Sequence, residues 1–162
     1  MRDADYCDDP AKVEVFRGAA DALRQLKAQG FKIVIVTNQS GIGRGYMTED
    51  NFRAVEREFE SQLGNDIIDA TYFCPHSPEE SCSCRKPAPG MLRQAAEEHQ
   101  IDLTKSYFVG DKDSDIECGK RAGAKTILVE TGYGRSANHD RPDAVAPDVT
   151  TAVALILKES AK

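Results

Sequence analysis

With 162 residues, 40 % of them hydrophobic and 30 % charged, the chain is long enough for one soluble domain with a core, taken to run over residues 1–162. A net charge of −6 argues against a general nucleic-acid binder, which needs a basic face, but leaves small anionic ligands open because local cations decide those. No apolar run approaches the roughly 20 residues of a membrane helix, and no charged-then-apolar leader opens the chain, so export and a membrane partner are not expected and the cytoplasm is the natural compartment; a monomer is one of the oligomeric states left open.

Helix and strand patterns alternate from there on. Ala20, Leu23 and Leu26 recur at helical spacing over Ala19 to Gln29, and Gly30 suits the residue after a helix end. Phe31 to Val36 is a nearly continuous β-branched run, as a strand buried on both faces would be. Thr48 reads as an N-cap, with Glu49 and Asp50 in the first turn. The apolar stripe Phe52, Val55, Phe59 and Leu63 follows, and Gly64 ends it. Ile67 to Phe73 is the next strand candidate. Pro89 marks the start of a helix carrying Met91, Leu92, Ala95 and Ala96. Ser106 to Val109 predicts a short strand, Ile116 to Ala122 a helix, Thr126 to Val129 a strand and Val153 to Leu157 a last helix. Such alternation implies an α/β fold, a Rossmann-like parallel sheet with helices on both faces. Ligands in such sheets bind beyond the C-terminal strand ends, here Thr37-Asn38 and Gly110-Asp111.

Of five cysteines, three cluster with a histidine. Cys74-Pro-His76 and Cys82-Ser-Cys84 are separated by five residues. Three thiolates and one imidazole suit tetrahedral Zn²⁺, and with no position left for water the site should be structural. A thiol cluster or a disulfide is the rival reading. Cys7 and Cys118 stand alone and read as incidental or buried thiols.

Three further segments can handle phosphate. Thr37 offers a hydroxyl at a strand end, and the turn Asn38-Gln39-Ser40-Gly41 offers backbone N–H groups to an anion. Arg85 and Lys86 follow the metal loop, which can hold a guanidinium fork and an ammonium in fixed positions. In Gly110-Asp111-Lys112-Asp113-Ser114-Asp115, Asp111 stands at a strand tip and suits Mg²⁺. Asp113 and Asp115 read equally well as first-turn acids of the following helix.

Taken together, these segments resemble the haloacid-dehalogenase (HAD) superfamily phosphatases over about residues 1–135, and among them the D-glycero-D-manno-heptose 1,7-bisphosphate phosphatases. Thr37 to Gly41 is similar to that family's second motif, Lys86 to its third, and Gly110-Asp111 with Asp115 to its fourth. Cys74, His76, Cys82 and Cys84 resemble its zinc loop, which the histidinol phosphate phosphatases share. The resemblance implies a Mg²⁺-dependent phosphomonoesterase acting on a sugar bisphosphate. Thr37 and Lys86 would steady the phosphoryl group, and Asp111 would hold Mg²⁺. Asn38, Gln39, Ser40, Arg85, Lys86 and Lys112 would contact substrate, and Asp3, Ala4, Asp5 and Tyr6 match the short loop that closes over it. The family's first motif is an apolar strand ending in two aspartates one residue apart, followed by Gly and Thr. Asp3-Ala-Asp5 has that spacing without the strand or the Gly-Thr, so both read as loop residues. Counting back from Gly18 puts the family's pair, with its attacking aspartate, before Met1. The resemblance therefore implies an N-terminally truncated domain without its first central strand. A phosphate-binding domain without turnover and a histidinol phosphate phosphatase are the competing functions.

Overall fold

The computed structural model describes residues 7–138 and 141–161. It divides into two compact units, one running to Cys82 and the other from Ser83.

In the first unit, α1 (Ala19–Ala28) buries Ala19, Ala22 and Leu26, and packs on α3. The Gly30 N–H bonds the Lys27 carbonyl at 2.9 Å and the Phe31 N–H bonds Leu26 at 3.1 Å, so the helix exit claims residues expected in the strand. β1 accordingly begins three positions later than the β-branched run suggests, at Val34–Asn38. Only Val36 in it is buried, its neighbours being half-buried, which differs from the fully enclosed strand expected; β1 is an edge strand among the described residues, with β2 as its neighbour. After the short α2 (Ser40–Gly43), α3 (Glu49–Leu63) opens on the expected Thr48 cap, whose hydroxyl accepts the Asn51 N–H while Asn51 accepts the Thr48 N–H. Its face buries Phe52, Val55 and Leu63, with Phe59 half-buried. β2 (Ala70–Cys74) runs parallel to β1 in the register Val34↔Ala70 to Asn38↔Cys74. The Phe52 and Phe73 rings lie 4.7 Å apart between centroids, and the Arg53 guanidinium covers Phe73 at 4.6 Å.

In the second unit, α4 (Gly90–His99) buries Met91, Leu92 and Ala95, and β3 (Tyr107–Gly110) leads into α5 (Asp113–Ala122). β4 (Lys125–Val129) pairs in parallel with β3 on one side and with the short β5 (Ala144–Ala146) on the other. Here lies the strand enclosed on both faces: Thr126, Ile127, Leu128 and Val129 are all buried. α5 and α6 (Val149–Ser160) both pack on β3 and β4. β5 and α2 have no counterpart in the sequence reading, because runs of three and four residues carry too little periodicity to register. No described helix is long and apolar enough to cross a membrane.

One acid pins the start of each sheet. Asp69 accepts the Ile33 N–H and the Lys27 ammonium, each at 2.6 Å, and its own N–H returns to the Ile33 carbonyl. In the second unit Asp143 takes the N–H and the hydroxyl of buried Thr126, each at 2.7 Å. Burial works to raise the Asp69 carboxyl, but Lys27 and the Ile33 N–H outweigh it and hold the group below its ordinary value. A depressed folded pKa stabilises the fold above the unfolded value of about 3.9, and that stabilisation disappears as pH falls through the folded value. Asp69→Ala should therefore lower stability by about 1–2 kcal/mol at pH 7, a partly solvated charged pair being worth less than a buried one. In thermal melts the gap to the parent should narrow as pH drops below about 4. A gap unchanged down to pH 2 would refute the assignment.

Candidate active site and metal loop

The parallel register sets Asn38 beside Cys74, so the turn after β1 and the loop after β2 leave the sheet from neighbouring strand ends. The Gln39 N–H bonds the Cys74 carbonyl at 2.7 Å, and the Gly43 N–H bonds Pro75 at 2.8 Å. The Gln39 side-chain amide donates to the Thr37 hydroxyl oxygen at 3.1 Å. The turn that carries Thr37, Asn38, Gln39 and Ser40 is thus built directly against the Cys/His loop. All four residues are half-buried.

In the loop itself, one donor atom from each of Cys74, His76, Cys82 and Cys84 lies within 4.8 Å of all the others. Around a tetrahedral ion with metal–sulfur bonds of about 2.3 Å, two sulfurs stand about 3.8 Å apart, and a sulfur and an imidazole nitrogen about 3.5 Å. Cys74 Sγ and Cys82 Sγ are 3.7 Å apart, and Cys74 Sγ and His76 Nδ1 3.5 Å. The donor set therefore fits a soft tetrahedral cation. No disulfide joins these cysteines, which sets aside the disulfide half of the rival reading. Glu80 accepts the Ser77 N–H at 2.6 Å and closes the loop behind His76.

The second unit organises its polar groups around Asp115, which is 4 % exposed. One carboxylate oxygen accepts the N–H groups of Asp111 and Lys112, at 3.2 and 3.1 Å, and so fixes the turn between β3 and α5. The other pairs with the Lys86 ammonium at 2.7 Å, with side-chain exposures of 11 % for Lys86 and 6 % for Asp115. Gly110 makes room for this, since a Cβ there would run into the Asp115 side chain. Asp115 is therefore more than a first-turn acid, whereas exposed Asp113 accepts the Asn138 N–H at 3.0 Å. Cys118 is a buried thiol, as expected. It donates to the Ala88 carbonyl, and burial pushes its pKa up to about 11.

Asp111 lies half-buried at the tip of β3, where one carboxylate suits a hard cation that keeps most of its waters. Its Oδ2 accepts the Tyr133 N–H at 3.0 Å. The Lys112 ammonium stands 4.1 Å from the Tyr133 ring centroid. A hollow of about 190 Å³ lies here, lined by Asp111, Lys112, Asp113, Tyr133, Ser136 and Ala137. The loop after β4 is thus a part of this region that sequence reasoning missed. Gly132 and Tyr133 lie far along the chain from Asp111, and no motif spacing connects them. Arg85 is half-buried and its carbonyl accepts the Ala88 N–H. Asp3, Ala4, Asp5 and Tyr6 lie outside the described residues.

A hydrolase family described as "HAD-hyrolase-like" matches residues 83–152. The D-glycero-beta-D-manno-heptose-1,7-bisphosphate 7-phosphatase of Helicobacter pylori is 40 % identical over 130 residues, covering 78 % of this chain and 75 % of that protein. The protein of the same name from Pasteurella multocida is 43 % identical over 139 residues, covering 80 % and 76 %. Among solved structures, the D,D-heptose 1,7-bisphosphate phosphatase of B. bronchiseptica, complexed with magnesium and phosphate, matches with a TM-score of 0.90 at 31 % identity, covering 98 % of this chain and 92 % of that one.

The Asp115 arrangement predicts a large, local stability effect. Asp115→Ala removes the carboxylate from a largely buried ammonium and the acceptor from two turn N–H groups, and should cost about 3 kcal/mol or more in urea denaturation. Gly110→Ala should also destabilise, because its new methyl displaces Asp115. A cost below about 1 kcal/mol for Asp115→Ala, the range of an exposed ion pair, would show that the pair is solvated in solution.

Proposed function

Since the chain belongs to the D-glycero-D-manno-heptose-1,7-bisphosphate 7-phosphatase family of HAD-like hydrolases, we propose that it takes part in removing a phosphate from a heptose bisphosphate. Identity of 40–43 % to phosphatases of that name over about four fifths of the chain carries this reading. In it, Thr37 and Lys86 steady the transferring phosphoryl group. Lys86 suits the task because its ammonium is held by Asp115, so little reorganisation is needed when charge develops on the phosphoryl oxygens. Arg85 and Lys112 bind the substrate, with the turn Asn38, Gln39 and Ser40 behind Thr37. Asp111 holds Mg²⁺, which when bound supplies positive charge to the phosphoryl oxygens. No described residue is assigned the attacking role.

The ion in the Cys/His loop is zinc in this reading, and its role is structural: four protein donors fill a tetrahedral shell. The loop has little apolar content, so the metal supplies the order that its own packing does not. Arg85 and Lys86 follow Cys84 directly, and a stiff loop holds them in place. Thiols left unbridged suit a reducing compartment such as the cytoplasm.

Two measurements test the proposal. Metal analysis should find one zinc per chain, and Co²⁺ substituted for it should give the visible spectrum of a tetrahedral thiolate site; a chain without bound metal would refute the zinc assignment. Phosphate release from the heptose bisphosphate and from histidinol phosphate should be compared for residues 1–162 alone and for the same residues joined to an apolar strand ending in Asp-x-Asp-Gly-Thr. The extended form should turn over the bisphosphate much the faster of the two substrates. In it Lys86→Ala and Asp111→Ala should each lower kcat by about a hundredfold or more. Activity kept by either variant removes that residue from the site, and equal turnover with and without the added strand assigns the attack to a carboxylate within residues 1–162.

A further inference from the structure

The loop after β4 brings its backbone and a side chain onto two residues of the proposed site. Tyr133 is 43 % exposed, so its ring is not spent on the core. Its N–H donates to Asp111 Oδ2 at 3.0 Å while its ring lies 4.1 Å from the Lys112 ammonium. Gly132, at φ 65°, allows this approach, because a Cβ there would overlap the Asp111 carboxylate. The turn beyond is tied down by the Ser136 N–H and hydroxyl, which donate to the Tyr133 carbonyl at 3.0 and 2.9 Å. From the other side Asn138 donates its N–H to Asp113, so both acids flanking Lys112 are held by this one loop.

A lysine on a surface turn ordinarily samples many rotamers, and fixing its ammonium on a ligand costs side-chain entropy. An aromatic face beside the ammonium restricts it before the ligand arrives, which lowers that cost. We propose that Tyr133 is a positioning residue for substrate binding, its ring holding the Lys112 ammonium at the hollow beside Asp111. The role is that of the ring and not of the phenol oxygen. It rests on the function proposed above, in which Lys112 contacts the phosphorylated substrate. Because Lys112 is taken to bind ground state and transition state alike, loss of the ring should appear in KM and not in kcat.

Two readouts separate this inference from the function it rests on. The first needs no turnover: lysines are ¹³C-dimethylated, and the Lys112 signal is assigned by its absence in Lys112→Arg. An ammonium above a ring is shifted upfield by the ring current, so the parent and Tyr133→Phe should show the shifted signal and Tyr133→Ala should not. A Lys112 signal at the ordinary position in the parent, or one unmoved by Tyr133→Ala, overturns the inference. The second is kinetic, in the form that hydrolyses the heptose bisphosphate. Tyr133→Ala should raise KM about fivefold, the weight of one partly solvated cation–π contact, with kcat little changed. Tyr133→Phe should match the parent. An unchanged KM in Tyr133→Ala, or an equal loss in Tyr133→Phe, overturns it. Absence of turnover in the parent would refute the function proposed above, and the ring-current result would then decide the placement of Lys112 alone.

Discussion

A buried carboxylate is costly unless its oxygens are met, and Asp115 meets that constraint with the groups to which the proposed function assigns its roles in the second unit. One oxygen gathers the N–H groups of Asp111 and Lys112, the other the ammonium of Lys86. The strand tip, the turn and the lysine are therefore ordered together. A lysine with 11 % of its side chain exposed would be unfavourable as a cation without such a partner. The glycine at 110 follows from the same demand, since the carboxylate occupies the space a side chain would take.

A different constraint shapes the first unit. Parallel strands in register end at the same level, and β1 and β2 end at Asn38 and Cys74. The Thr37 turn and the metal loop are joined by backbone hydrogen bonds from Gln39 and Gly43. A metal that orders the loop therefore also supports the turn. The distances of 3.7 and 3.5 Å from Cys74 to Cys82 and His76 match a tetrahedral shell, and all four donor atoms lie within 4.8 Å of one another.

Both sheets solve strand pairing in the same manner. Asp69 and Asp143 each stand just before a strand and take the N–H at or beside the start of its neighbour. A carboxylate there satisfies a backbone donor that the ladder does not reach, and its charge strengthens the bond. Lys27 adds an ion pair to Asp69, and the Thr126 hydroxyl adds a second bond to Asp143. Each is a short polar clamp at the end of the strands away from the proposed chemistry.

By itself the sequence determined whatever depends on neighbours along the chain. Helical spacing located α1, α3, α4 and α5, the Thr48 cap followed from residue type, and three thiols and an imidazole in eleven positions located the Cys/His cluster. Thr37 and Asp111 were assigned to strand ends by the same local logic, because each follows an apolar run. What the pattern could not weigh was competition between elements and contact between distant residues. Phe31 left the strand because the helix exit took its N–H, and the fully enclosed strand proved to be β4, flanked by β3 and β5. Asp115 had two local readings, and only its pairing with Lys86, 29 positions earlier, decided between them. Tyr133 had none, because its N–H and its ring act on Asp111 and Lys112, to which no periodicity connects it. Side-chain periodicity records which face a residue shows, while tertiary structure alone decides what stands opposite that face.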